Sequence, residues 1–312
     1  MFSVGGQDAV NLLRFFDDLP DPRATVNRLH RLGDVIVIAI CAVLANADGP
    51  TAITHWARLN EAWLRRHLAL PNGIPGKDTF RRVLGLLPPA AFQQCFGQWL
   101  QSLTPVDEED KGSTHHIAID GKALRRSHDR QHGLGPLHIV SAWASDYGIS
   151  LGQVATEETS NEITAIPQLL EAIDVEDAIV TIDAAGCQKA IAAKIVDGRG
   201  DYVWALKGNQ EKLFADVQFL MLEYVRDDLP SRSVSRHVEV EQGHGRLEAR
   251  TYYQMTAPSH LKGRSHWKGL RTIGAVVRVY EEKGIEKRDT RYYISSLRRN
   301  GQHFAHAVRN HW

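Results

Sequence analysis

Along residues 8–103, apolar side chains recur at spacings of three and four, as in AVNLLRFFDDL and AFQQCFGQWLQSL, the period of amphipathic helices. The breakers in LPDPR, PNGIPGKD and LPPA divide this stretch into several short helices. PGKDTFRRVL predicts one that starts at Asp78 or Thr79 as its cap. The longest apolar run, Val35 to Ala45, is too short to cross a bilayer and is flanked by Asp34 and Asp48, so it predicts a buried core helix. Beyond residue 106 the pattern changes. The acidic run Asp107, Glu108, Glu109, Asp110 and the KGST after it have no apolar period and predict a solvated linker over 107–114. HHIAIDGK, HIVSAWAS, ISLGQVAT, AIVTIDAAG and YVWALKG then read as short strands bounded by turn residues. NEITAIPQLLEAID and QKAIAAKIVDGRG, at helical spacing, flank AIVTIDA, so strands alternate with helices. A second strand-rich stretch runs from Val234 to about Leu297, with a hairpin turn in EEKGIEKRD. In the final HFAHAVRNHW, Phe304, Ala307, Val308 and His311 fall at helical spacing. The expected organisation is a helical N-terminal domain over 1–106, a linker over 107–114, and an α/β domain over 115–312. The early strands of that domain form meanders, and it carries a β-rich insertion at about 234–285.

Composition narrows the function classes. Lys plus Arg equals Asp plus Glu, 37 against 37, so the chain lacks the overall basic excess of a small nucleic-acid module, and any DNA contact must come from local patches. Cys41, Cys95 and Cys187 are far apart, with no CxxC and no zinc-ligand spacing, which fits a reducing cytoplasm. MFSVGGQDAV has none of the marks of a secretion signal, and the expectation is a soluble cytoplasmic protein without a membrane span. His115, His116, His128 and His132 form no metal-binding motif, and neither GxxxxGK[ST] nor GxGxxG occurs, so zinc-dependent and nucleotide-driven functions have no support.

Two strands end in the same way. Ile117 and Ile119 share one face of the first, and Asp120 follows before Gly121; Ile182 is followed by Asp183, two alanines and Gly186. Side by side, these strands would bring two carboxylates together, a repulsive arrangement unless Mg²⁺ or Mn²⁺ occupies the gap. Paired cations held by such carboxylates can activate a water or a 3′-hydroxyl and stabilise the leaving oxygen of a phosphodiester. An Asp before Gly or Ala also commonly caps a turn, and spacing alone leaves both readings open. Beside Asp120, Lys122, Arg125 and Arg126 form a compact cationic group, and Lys207 ends another strand. They fit phosphate positioning as well as a solvated basic turn. In HGRLEAR, His244, Arg246, Glu248 and Arg250 alternate onto one strand face. That row suits a solvent-facing sheet with cross-strand ion pairs, DNA contact through Arg246, or a third catalytic carboxylate at Glu248.

Taken in order, FFDDLPDPR, IAIDGKALRRS, TIDAAGCQKAIAAKI, WALKGNQ, HGRLEAR, RYYISSL and AVRNHW closely resemble the insertion-sequence transposases that include the H-repeat-associated proteins. The resemblance covers almost the whole chain. It implies a DDE enzyme with a ribonuclease H-like catalytic core, preceded by a helical segment that helps bind DNA. Carried over, Asp120 and Asp183 are the first two metal-binding catalytic carboxylates, with Mg²⁺ or Mn²⁺ as cofactor. The implied partners are double-stranded DNA, as element terminal repeats and target, and further copies of the chain in a homo-oligomer on DNA, associated with the nucleoid when bound. In related enzymes the third carboxylate is a Glu in a segment resembling HWxIEN, and here the sequence stops at His311 and Trp312. The expectation is therefore a C-terminally truncated transposase of impaired activity; Glu248 is the only motif-borne Glu left as a substitute, but a strand-rich insertion before the final Glu is itself a family feature, and the resemblance assigns Glu248 to that insertion. The alternatives are an inactive DNA-binding relic and a metal-dependent nuclease of the same fold.

Overall fold

The computed structural model describes residues 12–26, 28–103, 115–124, 127, 135–146, 148–156, 162–228, 232–243, 246–282 and 285–311. The chain divides into two compact units, residues 1–106 and 107–312. The expected linker at 107–114 lies outside the described residues, as do Arg125, Arg126, His128, His132, His244 and Trp312.

The first unit is helical: α1 (Leu32–Leu44), α2 (Pro50–Leu59), α3 (Glu61–Leu64), α4 (Lys77–Leu86) and α5 (Pro89–Leu103). The apolar run that begins at Val35 lies within α1 and at its end, and Val35, Ile36, Val37 and Ile38 are buried with Phe16, Ile53, Leu64, Phe80 and Val83. Asp34, buried in the first turn of α1, favours the helix dipole there and accepts a hydrogen bond from the Leu70 amide at 3.0 Å. The start of α4 differs from the expected one. Its cap is Gly76, whose carbonyl accepts from the amides of Thr79 and Phe80. Asp78 instead sits inside the first turn and pairs with Arg81 at 3.0 Å, so the dipole keeps its acidic partner without a side-chain cap.

The second unit is mixed α/β around one nine-stranded sheet of order β3-β2-β1-β4-β5-β9-β8-β7-β6. Its strands are β1 (His115–Ala123), β2 (His138–Ala144), β3 (Ile149–Thr156), β4 (Ala178–Ile182), β5 (Asp201–Leu206), β6 (Val234–Gly243), β7 (Arg246–Thr256), β8 (Thr272–Glu282) and β9 (Ile285–Ser295). The first three form an antiparallel meander, whereas β1, β4 and β5 run parallel. Parallel neighbours need crossovers, and these are α6 (Glu162–Ala172) before β4 and α7 (Lys189–Asp197) before β5. All five residues of β4 are buried, as a central strand covered on both faces requires. The strand-rich stretch expected from Val234 to about Leu297 is β6–β9, ending at Ser295, and β9 pairs antiparallel with β5 and so joins β6–β9 to the central sheet.

Helices cover both faces. On one side α6, α7 and α8 (Glu211–Asp227) bury Ile117, Ile119, Val180, Ile182 and Trp204. On the other side lies α9 (Gly301–Arg309), whose Phe304, Ala305 and Ala307 pack with Ile179, Val203, Tyr252 and Tyr293. Asn300 starts α9 as a side-chain cap, its amide oxygen accepting from the amides of Gln302 and His303. Phe304 meets Tyr252 and Tyr293 edge-on at centroid distances of 6.3 and 5.5 Å. Because Phe304 is fully buried, Phe304→Ala should destabilise this unit by about 3–5 kcal/mol. In urea unfolding, a lower midpoint with unchanged slope is the expected result.

Candidate active site

The parallel register of β1 and β4 pairs His116 with Ile179, Ala118 with Thr181 and Ile119 with Ile182. The next residue on each strand is an aspartate. Ile119 and Ile182 face the α6–α8 side; alternation therefore turns His116, Ala118 and Asp120 toward α9, together with Ile179 and Thr181. Asp120 is still within β1 and is solvent-exposed, whereas Asp183 is half-buried immediately beyond β4. Asp120, within β1, and Asp183, just past β4, thus occupy corresponding positions on neighbouring strands, near the carboxyl edge where β4 and β5 finish.

The turn after Asp183 is tightly specified. One Asp183 carboxylate oxygen accepts from the Gly186 amide at 3.3 Å and its carbonyl accepts from the same amide at 3.1 Å, so Asp183 does cap its turn. A Cβ at Gly186 would lie 2.2 Å from Ile182 Cγ2 and 3.0 Å from Ile166 Cδ1, which leaves room for glycine alone. The loop after β5 braces this turn: Asn209 Nδ2 donates to the Ala184 carbonyl at 2.6 Å and Gln210 Nε2 to the Cys187 carbonyl at 3.0 Å. Lys207, exposed at the end of β5, begins that loop. Lys122, also exposed, lies two residues beyond Asp120 on β1 and so on the same face. For Arg246 the structure gives the strand position, at the start of β7, and the side chain lies outside the described residues, as Arg125 and Arg126 do wholly.

Glu248 lies elsewhere. It is on β7, four strands from β4 in the sheet order, a lateral separation of about 19 Å at ordinary strand spacing. There it is ion-paired with Arg250 and Arg278, and Arg278 above all holds its carboxyl below the usual range. The pairing continues from Arg250 to Glu241 at 3.0 Å and from Glu241 to Arg309 in the last turn of α9. The HGRLEAR row therefore carries cross-strand ion pairs, and Glu248 is not brought to the aspartates.

On the same face as Thr181 lies His311, which the sequence offered as one position of a helical period and as part of the AVRNHW ending. The negative charges of both Asp120 and Asp183 act on its imidazole, opposing the burial that lowers its pKa. Its Nδ1 lies 3.0 Å from the Thr181 hydroxyl. Beneath it, fully buried His116 has Nε2 3.0 Å from the Ala307 carbonyl and 3.3 Å from Thr181 Oγ1, with Nδ1 3.1 Å from Ser145 Oγ. Neutral His116 has one N–H, which Nε2 gives to the Ala307 carbonyl, so the single Ser145 hydroxyl proton is shared between His116 Nδ1 and the Asn310 carbonyl, the latter at 2.8 Å. The only trace of this arrangement in the sequence is the HH pair before IAID and the RNHW ending. Among the described residues, no group of three or more His, Cys, Asp or Glu side chains is gathered to hold a metal by protein ligands alone. Two carboxylates remain a suitable donor set for Mg²⁺, which binds through one or two carboxylates and completes its shell with waters and substrate phosphates.

Residues 111–312 match the family model described as transposase DDE domain, and residues 13–100 match one described as DDE_Tnp_1-associated. The chain is 37% identical to the "H repeat-associated putative transposase YhhI" of Escherichia coli K12, over 96% of this chain and 79% of that protein. It is 40% identical to the "Uncharacterized protein in dhlA 3'region" of Xanthobacter autotrophicus, over 90% of this chain and 93% of that protein.

Burial pushes the His116 imidazole down to about 4 from its ordinary 6.5. Its neutral form therefore contributes stability in full above pH 6.5, and that contribution is lost as pH falls toward 4, since the unfolded chain takes up the proton first. Between pH 7 and 4.5, wild-type protein should lose about 2 kcal/mol more unfolding free energy than His116→Gln, compared by urea titration at the two pH values. Parallel losses in the two proteins would assign the acid sensitivity to other groups.

Proposed function

Because this chain belongs to the DDE-domain transposase family, we propose that it cuts and rejoins double-stranded DNA at the ends of an insertion element, with Asp120 and Asp183 as carboxylate ligands of Mg²⁺ or Mn²⁺. The observation that carries this reading is the β1–β4 register, which makes the two aspartates neighbours at one sheet edge. The order β3-β2-β1-β4-β5, with β2 antiparallel to β1 and with β1, β4 and β5 parallel, supports a ribonuclease H-like core that holds β6–β9 as its insertion. Residues 1–106 then serve as the DNA-recognition domain, and the active form is a homo-oligomer on paired ends. When bound, the metal polarises the scissile phosphate and generates the attacking oxygen.

The chain's own residues have separable roles. Asp120 and Asp183 fix where cation charge stands relative to the sheet edge. The cap that Gly186 gives Asp183, braced by Asn209 and Gln210, holds that carboxylate in place before substrate arrives. Lys122 and Lys207, exposed on either side, neutralise phosphates and set the path of the strand, and the sequence adds Arg125, Arg126 and Arg246 as further candidates for phosphate contact. His311 lies within the field of both aspartates, and its Nδ1 is 3.0 Å from the Thr181 hydroxyl.

Two outcomes test this reading. Asp120→Asn and Asp183→Asn should each weaken Mn²⁺ binding in calorimetry and lower metal-dependent cleavage of element-end DNA by about 10²-fold or more. Glu248→Gln should leave both within a few-fold; the reverse pattern would move the third ligand to β7. Lys122→Ala and Lys207→Ala should each weaken DNA binding regardless of sequence and reduce the slope of log K against log salt by about one. An unchanged slope would remove these lysines from the phosphate path.

A further inference from the structure

The carbonyls at the C-terminal end of a helix have no donors within the helix and must find them elsewhere. α9 satisfies two of them in an unusual way. The Ala307 carbonyl is met by His116 on β1, and that of Asn310 by Ser145 at the end of β2. The cap of α9 is Asn310, and His311 follows it. The end of the helix is therefore completed by the sheet, which fixes its height and rotation over β1 and β4.

The second hold on α9 is of another kind. Arg309 pairs with Glu241 and lies 3.8 Å from Glu239, both on β6. These groups are partly solvated, and exposed pairs of this sort contribute little. The buried hydrogen bonds from His116 and Ser145 dominate, because breaking one leaves a carbonyl desolvated without a partner.

We propose that His116 and Ser145 are positioning residues: by holding the Ala307 and Asn310 carbonyls they seat the last turn of α9, and so set His311 beside Thr181, two residues before Asp183. This rests on the reading of Asp120 and Asp183 as the metal site. Thr181 links the two, since its hydroxyl lies 3.3 Å from His116 Nε2 and 3.0 Å from His311 Nδ1. Seating and cation binding are then coupled. A cation that neutralises the aspartates changes the field at His311, and by reciprocity an unseated α9 changes the cation's affinity.

The test is amide hydrogen exchange of the full chain with and without Mn²⁺, read on peptides covering 301–311 and on peptides from β8 and β9 as an internal reference. In wild-type protein Mn²⁺ should change exchange over 301–311, and Asp120→Asn should abolish that response. Ser145→Ala, which removes one hydroxyl, should speed exchange over 301–311 by about tenfold, the weight of one buried hydrogen bond. The reference strands should not change, and Ser145→Thr should restore the wild-type rate. Glu241→Gln should change it less than threefold, as expected of a solvated pair. His116→Gln, which retains one donor, should fall between wild type and Ser145→Ala. The inference is overturned if Mn²⁺ binds through Asp120 and Asp183 without altering exchange at 301–311. It is also overturned if Ser145→Ala speeds exchange everywhere, which would make the role one of general stability. Absence of any Mn²⁺ binding that depends on Asp120 and Asp183 would remove the metal reading itself, and the inference with it, a result distinguishable from the other two.

Discussion

The arrangement of the second unit depends on one pairing, the parallel register of β1 against β4 that sets Ile119 beside Ile182. Side chains on neighbouring strands at the same level stand about 5 Å apart, a distance at which two carboxylates repel by roughly 1 kcal/mol in water and several times that where solvent is reduced. The register tolerates this because the isoleucines one step back are buried on the helix-covered face, each contributing about 1.5–3 kcal/mol. The apolar pattern of two strands thus fixes their alignment, and the alignment carries the aspartates to one edge. A slip of one residue would turn Ile119 and Ile182 out of the core, so the juxtaposition is held by the hydrophobic effect.

From that edge the rest of the unit can be understood as support. The turn after β4 has room only for glycine at position 186, and the loop after β5 reaches back to hold the turn's carbonyls. The β6–β9 segment adds four strands through the β5–β9 pairing and supplies most of the surface on which α9 lies. Without Tyr252 and Tyr293, Phe304 would have no aromatic partners, and α9 would lack the contact that brings its far end over β1 and β4. The β6–β9 segment is thus packed and ion-paired with α9, and Glu248, on β7, belongs to an ion-pair chain that ends on Arg309.

Charge is distributed to the same end. The chain as a whole is balanced at 37 positive and 37 negative side chains, excluding histidine. Lys122 and Lys207 nevertheless sit at the carboxyl edge of the parallel strands, the edge at which open α/β sheets bind their ligands. On the ribbon distant from that edge, many of the charged residues are internally paired, as in the Arg250, Glu248 and Arg278 group. Cations that are paired with carboxylates are poorly placed to take up phosphates. Exposed lysines near the aspartates are better placed.

Much of this organisation was legible in the sequence. Period-two strands ending in IAID and TIDA, helical periods on either side of AIVTIDA, and the change of period near residue 106 are local signals, and they located the strands, the helices and the two aspartates. The start of α4 was misplaced because a glycine cap leaves no side-chain mark and Asp78 looks like one. The strand-rich stretch to about Leu297 was legible as well, but the pairing of β9 with β5 was not, since it joins residues distant along the chain. The same reason hid His311 and His116. A histidine in a helical period and a histidine before a strand have nothing in common until α9 crosses the sheet, where burial removes water from both and leaves Thr181, Ser145 and two helix carbonyls as their partners. Local periodicity determined which elements form and where the carboxylates stand along them. Only tertiary packing decided which polar groups share a dry interior, because that depends on contacts between strands and helices that no spacing along the chain encodes.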